Sequence, residues 1–183
     1  MNVAVCAYGA GNVRSVMAAF GRLGADARVT SSPAEVAAAD LAVLPGVGSA
    51  ASAMTGLRER GLDDALRDRV AAGRPTLGIC LGLQLALEES EEDGGVAGLG
   101  ILPGRAVLIG EGRVPRIGWA RVEPGGEAFY FAHSYAAETP AATASSEGMV
   151  AIAKTGSFLG VQFHPEKSGA AGARLLERCL SGD

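Results

Sequence analysis

An α/β fold, with a mostly parallel central sheet, helices on both faces and an appended antiparallel strand region, is predicted by three observations. Apolar runs and helix-period stretches alternate in order through the first half. Gly- and Pro-containing turns punctuate each change of element. Beyond the acidic run Glu88-Glu89-Ser90-Glu91-Glu92-Asp93, strand-like segments follow one another with no helix between them.

The elements follow in order. Asn2 to Tyr8 is a strand ending at Gly9-Ala10-Gly11-Asn12, after which Val13, Val16, Met17 and Phe20 mark a helix up to Gly24. Ala27 to Thr30 is a second strand. Ser32-Pro33-Ala34-Glu35 has a capping-box form with Pro at the first helical position. Leu41 to Leu44 runs into Pro45-Gly46-Val47-Gly48, and two helical stretches follow, broken near Gly61 and closed by Gly73. Pro75 to Ile79 is a fourth strand. Cys80 then opens a helix in which Leu81, Leu85 and Glu88 share a face. The later strands are Arg105 to Ile109, Val114 to Val122, Phe129 to Ala136 and Met149 to Lys154, expected as hairpins along one edge of the main sheet. Phe158 to Phe163 is a last strand and Ala170 to Leu180 a closing helix.

At 183 residues, with 48% hydrophobic and 20% charged side chains, the chain has the size and composition of one packed domain over residues 1–183. Sixteen basic against 20 acidic residues give a net charge of -4 without a Lys/Arg cluster, which argues against nucleic acid or anionic membrane as partners. No apolar run nears the roughly 18 residues that span a bilayer, and no basic leader precedes the first strand, so a cytoplasmic location is expected. Cys6, Cys80 and Cys179 are widely spaced and odd in number, suggesting neither disulfides nor zinc. No cofactor and no metal are expected.

Gly78-Ile79-Cys80-Leu81-Gly82 puts a cysteine where a buried strand turns sharply into a helix, the geometry of a nucleophile elbow. The helix N-terminus directs N–H groups and partial positive charge at the sulfur, favouring the reactive thiolate. A lone cysteine is more often a small buried hydrophobe, but glycines on both sides between strand and helix reverse that preference. Attack by a thiolate on an amide needs an imidazole to hand a proton to the departing amine. His164, at the end of an apolar strand and fixed by Pro165, is the candidate, with Glu166 two residues on to hold its other ring nitrogen. Gly46, Val47 and Gly48 follow the third strand at the same sheet edge, where their N–H groups and that of Leu81 can receive a developing oxyanion. The other histidine, His133, lies in an aromatic strand whose default reading is core packing.

These motifs carry a family resemblance. Gly-Ile-Cys-Leu-Gly and Phe-His-Pro-Glu-Lys-Ser resemble the signatures of class I glutamine amidotransferases. Tyr8-Gly9-Ala10-Gly11-Asn12, Leu44 to Gly48, Glu88 to Glu91, Ile117-Gly118-Trp119 and His133-Ser134-Tyr135 look like the glutaminase subunit of imidazole glycerol phosphate synthase. The resemblance implies a flavodoxin-like sheet, with Cys80 as nucleophile, His164 as base and acid, and Glu166 as its orienting partner. It implies ammonia passing to a cyclase (β/α)₈ barrel subunit that makes imidazole glycerol phosphate and an aminoimidazole ribotide for histidine and purine metabolism. By the same carry-over, Gln84 and Glu92 hold the glutamine amide and α-amino group, His133, Ser134 and Tyr135 line the pocket, and Asn12 and Trp119 lie near the partner interface. The chain departs from the family pattern at Cys6-Ala7, where an acidic residue is usual, and at Arg116 and Ala120, where histidine and asparagine are usual.

Three other readings compete. The glutaminase of pyridoxal phosphate synthase resembles a Gly-Gly-Glu-Ser oxyanion segment where this chain has Pro-Gly-Val-Gly. A cysteine hydrolase or a non-catalytic binding module of the same architecture would share the sheet without the glutamine chemistry.

Overall fold

Strand and helix alternate through β1 (Asn2–Cys6), α1 (Val13–Arg22), β2 (Asp26–Thr30), α2 (Pro33–Ala38), β3 (Leu41–Leu44), α3 (Ala50–Glu59), α4 (Leu62–Ala71), β4 (Thr76–Ile79) and α5 (Leu81–Ala86). Strands then dominate: β5 (Glu89–Ser90), β6 (Val96–Ala97), β7 (Arg105–Leu108), β8 (Arg116–Val122), β9 (Glu127–His133), β10 (Tyr135–Glu138), β11 (Ala142–Ser146), β12 (Met149–Thr155) and β13 (Phe158–Val161), closed by α6 (Gly169–Ser181). The structure, a computed structural model, describes residues 1–9, 13–110 and 112–182.

The main sheet runs β11-β12-β13-β4-β3-β1-β2. Its five strands from β13 to β2 are parallel, and β12 and β11 extend it antiparallel. Both faces of β1, β3 and β4 are buried, so successive residues of these strands serve different cores, whereas β2 at the sheet edge is mostly exposed. Val3, Val5, Leu41 and Val43 pack under α1 and α6, where Val16, Phe20, Leu175 and Leu176 meet them. Ala4, Cys6, Ala42 and Leu44 face α3 and α4 through Met54, Leu57, Leu62 and Leu66. Covering both faces makes these strands read as unbroken apolar runs. The capping signal also forms: Ser32 Oγ accepts from Glu35 N, with Pro33 opening α2.

The appended strands are more divided than a row of hairpins along one edge. Only β11 and β12 join the main sheet; β10-β7-β5-β6 make a second sheet, and β8-β9 a separate ribbon tied to β11 by the Glu123–Ser145 bridge. The expected strand Phe129 to Ala136 breaks at Ser134, whose carbonyl accepts from Ile109 N and hands the chain from β8 to β7. The helix after Cys80 ends at Ala86, short of Glu88. The carbonyls of Leu85, Ala86 and Leu87 accept from the N–H groups of Leu99, Leu102 and Gly100, so tertiary partners replace the next helical turn.

Candidate active site

β4 delivers Cys80 at φ 53° and ψ -109°, a positive-φ conformation that a residue with a β-carbon adopts at a cost of about 1–3 kcal/mol. Close approach explains the flanking glycines. A β-carbon on Gly78 would lie 2.7 Å from Phe158 Cζ and 2.8 Å from the Gly82 carbonyl oxygen, and one on Gly82 would strike the Leu44 carbonyl oxygen. The elbow is tied to β13 by Cys80 N donating to Val161 O at 2.7 Å. Its sulfur sits 3.7 Å from Gln162 Nε2 and 3.8 Å from Ala132 O.

β13 leads through Gln162 and Phe163 to His164, whose N–H donates to Tyr130 O at 2.8 Å. Pro165 opens a 3-10 turn that returns Glu166, and Oε1 lies 2.9 Å from His164 Nδ1 with both side chains buried. Ser168 Oγ braces the turn, donating to His164 O at 2.6 Å and accepting from Tyr130 N at 3.0 Å. Burial disfavours a charged imidazole here, but hydrogen bonds and charge from Cys80 and Glu166 outweigh it, and His164 is pushed up to about 9.

A cavity of about 320 Å³ opens over this pair. Cys80, His164, Gly46, Val47, Gly48, Leu81, Gln84, Glu92, His133, Ser134 and Tyr135 all line it. Glu166 lies behind His164 with one carboxylate oxygen unpartnered. Trp119 stands apart on the ribbon, 59% exposed and edge-on to Tyr130, while Asn12 falls outside the described residues.

Polar groups brace the walls. Gln84 Nε2 donates to Tyr135 O at 2.7 Å and to Gln162 Oε1 at 3.1 Å. Glu92 Oε2 accepts from Ala50 N at 2.9 Å, and burial pushes its carboxyl above the usual range. His133 Nδ1 lies 2.9 Å from Tyr135 O, while its Nε2 is buried without a partner. Burial above all pushes His133 down to about 4, with Arg116 and His164 adding to the effect. Arg116, one of the departures from the family pattern, pairs with His133 across the ribbon and stacks over Phe131. Pro115, Ile117 and Ala132 also line the cavity and Gln162 backs Cys80, and none of them was anticipated; a glutamine inside the otherwise apolar Gly160–Phe163 run was the available signal. Among the described residues, no group of three or more His, Cys, Asp or Glu side chains is arranged to hold a metal ion, and no helix is long and apolar enough to cross a membrane.

A thiol at a strained elbow, an imidazole held by a buried carboxylate and a backbone-lined recess meet at the carboxyl ends of parallel strands, where α/β sheets bind ligands. Residues 4–181 match the model of the family described as glutamine amidotransferase class-I, and the chain belongs to that family. Its relatives include the imidazole glycerol phosphate synthase subunit HisH of Symbiobacterium thermophilum, 44% identical over 95% of this chain and 91% of that one. The HisH subunit of Methanothermobacter thermautotrophicus is 45% identical over 95% of both chains. Among solved structures, one titled as a glutamine amidotransferase superposes with a TM-score of 0.80 over 99% of both chains at 23% identity, a likeness of fold.

Proposed function

We propose that this chain is the cytoplasmic glutaminase subunit of imidazole glycerol phosphate synthase, supplying ammonia to a cyclase (β/α)₈ barrel partner in histidine biosynthesis. The observation that carries the reading is the Cys80 elbow facing a cavity beside the buried His164–Glu166 pair. Cys80 gives its proton to His164 and its sulfur attacks the carboxamide carbon of glutamine. N–H groups of the Gly46-Val47-Gly48 segment and of Leu81 receive the oxyanion. As the tetrahedral intermediate collapses, His164 returns the proton to the departing nitrogen, leaving a thioester and free ammonia. Water, deprotonated by His164, then releases glutamate and restores the thiol. Glu166 holds the ring and stabilises its imidazolium form. Gln84, Glu92, His133, Ser134 and Tyr135 position the substrate, and fixing its α-carbon end makes asparagine, one methylene shorter, fall short of Cys80.

The partner switches the site on through the oxyanion segment. Gly46 and Gly48 flank Val47, so the peptides between them exchange conformations at small cost and alternate between presenting a carbonyl and an N–H. Exposed apolar side chains at the cavity, Val47 at 39% and Ile117 at 64%, and Trp119 further along the same ribbon at 59%, support a protein partner here. Glutaminase turnover with and without the cyclase and its nucleotide substrate is the test. Activation of about 10² to 10³ is expected, the worth of one oxyanion donor, and equal rates would sink the switch. Labelling of Cys80 by a glutamine-like chloroketone tests the reaction class.

A further inference from the structure

The Gly46–Gly48 segment is anchored at both ends. Upstream, the Tyr8 hydroxyl donates to the carbonyl of Pro45. Tyr8 is 2% exposed, in the core that includes Leu44 and Leu81, so without that carbonyl the hydroxyl would be left unpaired. The Tyr8 backbone is also seated, because Gly56 of α3 lies so close that a β-carbon there would strike the Tyr8 carbonyl oxygen. Downstream, Ala50 N donates to Glu92 Oε2 at 2.9 Å and Ala51 N to Asp93 Oδ2 at 3.2 Å, while Ser49 caps α3 through Ser52 N. The oxyanion segment is what remains between the anchors.

We propose that Tyr8 is a positioning residue for glutamine hydrolysis: by pinning the Pro45 carbonyl it immobilises the Pro45–Gly46 peptide and confines any reorientation to the peptides flanking Val47. The inference rests on Gly46–Gly48 being the oxyanion segment. The C=O and N–H of a trans peptide lie in one plane and point in opposite directions, so a Pro45 carbonyl turned to Tyr8 turns the Gly46 N–H the other way. The movable donors are then the N–H groups of Val47 and Gly48. Tyr8 does not line the cavity, and its effect passes through the backbone it holds.

The test is Tyr8→Phe in the assembled complex with the cyclase partner, which removes the hydroxyl and keeps the ring. Glutamine-dependent kcat should fall about fivefold, the worth of one net hydrogen bond, with KM for glutamine and ammonia-dependent synthesis unchanged. Unchanged kcat would overturn the proposal, as would a loss shared by KM or by the ammonia reaction, the mark of general damage. Val47→Gly, which loosens the same segment from within, gives a second reading. Combined with Tyr8→Phe it should cost less than the product of the two single losses, and multiplicative losses would also overturn the proposal. Cys80→Ala, run in parallel, separates the two levels. Persistent glutamine turnover there defeats the amidotransferase reading itself, whereas its loss beside an unaffected Tyr8→Phe removes Tyr8 alone.

Discussion

The cavity has two walls with one histidine each, and the two are driven in opposite directions. On the wall made by parallel strand ends, His164 is buried yet pushed up to about 9, because Cys80 and Glu166 favour its charged form. On the wall made by the β8-β9 ribbon, burial pushes His133 down to about 4, against the hydrogen bond to the Tyr135 carbonyl and with the Arg116 guanidinium adding to the effect. Residue type and burial are shared, so the charged partner decides. Cys80 and a carboxylate at 2.9 Å keep the buried His164 able to carry a proton, whereas a carbonyl at the same distance does not offset burial at His133, which stays neutral with Nε2 as a bare acceptor.

The sharpest break of that contrast is Cys80→Ala, which should lower glutamine-dependent synthesis by about 10⁴-fold or more while the assembled enzyme still uses free ammonia. His164→Ala should match it and the double variant should be no worse; substantial glutamine turnover in either single variant would detach that residue from the reaction. Next comes Glu166→Gln, which keeps a hydrogen-bond partner but withdraws the charge. A loss of about 10- to 100-fold in kcat is expected, the worth of one charge-assisted hydrogen bond, with the His164 titration followed by NMR moving down from about 9. An unmoved titration would show that Glu166 does not set the difference between the walls.

On the ribbon side, Trp119→Ala should weaken binding to the cyclase about tenfold, measured by calorimetry, and leave chloroketone labelling of the isolated chain unchanged. Full affinity would take Trp119 out of the interface. The smallest effect is on stability. His133, depressed below its ordinary 6.5, contributes stability present above pH 6.5 and lost as pH falls through about 4. His164, raised above 6.5, contributes stability present below pH 6.5 and lost as pH rises through about 9. In urea titrations at about pH 5 and about pH 8, His133→Asn should therefore lose less stability on acidification than the unaltered chain. An identical loss would mean that His133 is not held neutral.

The sequence by itself determined the alternating α/β order, the Cys80 elbow and the closeness of His164 and Glu166, because each rests on short-range rules. A buried strand needs an apolar run, a tight turn into a helix needs glycine on both sides, and residues two apart around Pro165 stay neighbours in most folds. Only the tertiary structure decided where α5 stops, where the strand after Glu127 breaks, and what Gln162, Glu92 and Tyr8 hold. Each of those outcomes depends on a partner distant in the chain: Leu99 and Leu102 taking the carbonyls of Leu85 and Ala86, Ile109 taking that of Ser134, Gln162 reaching Cys80 across 82 positions, Glu92 reaching Ala50 across 42, and Tyr8 reaching Pro45 across 37. Local periodicity carries no record of such pairings. Buried polar groups must find partners wherever the fold brings them, and the fold is settled by packing the whole chain at once.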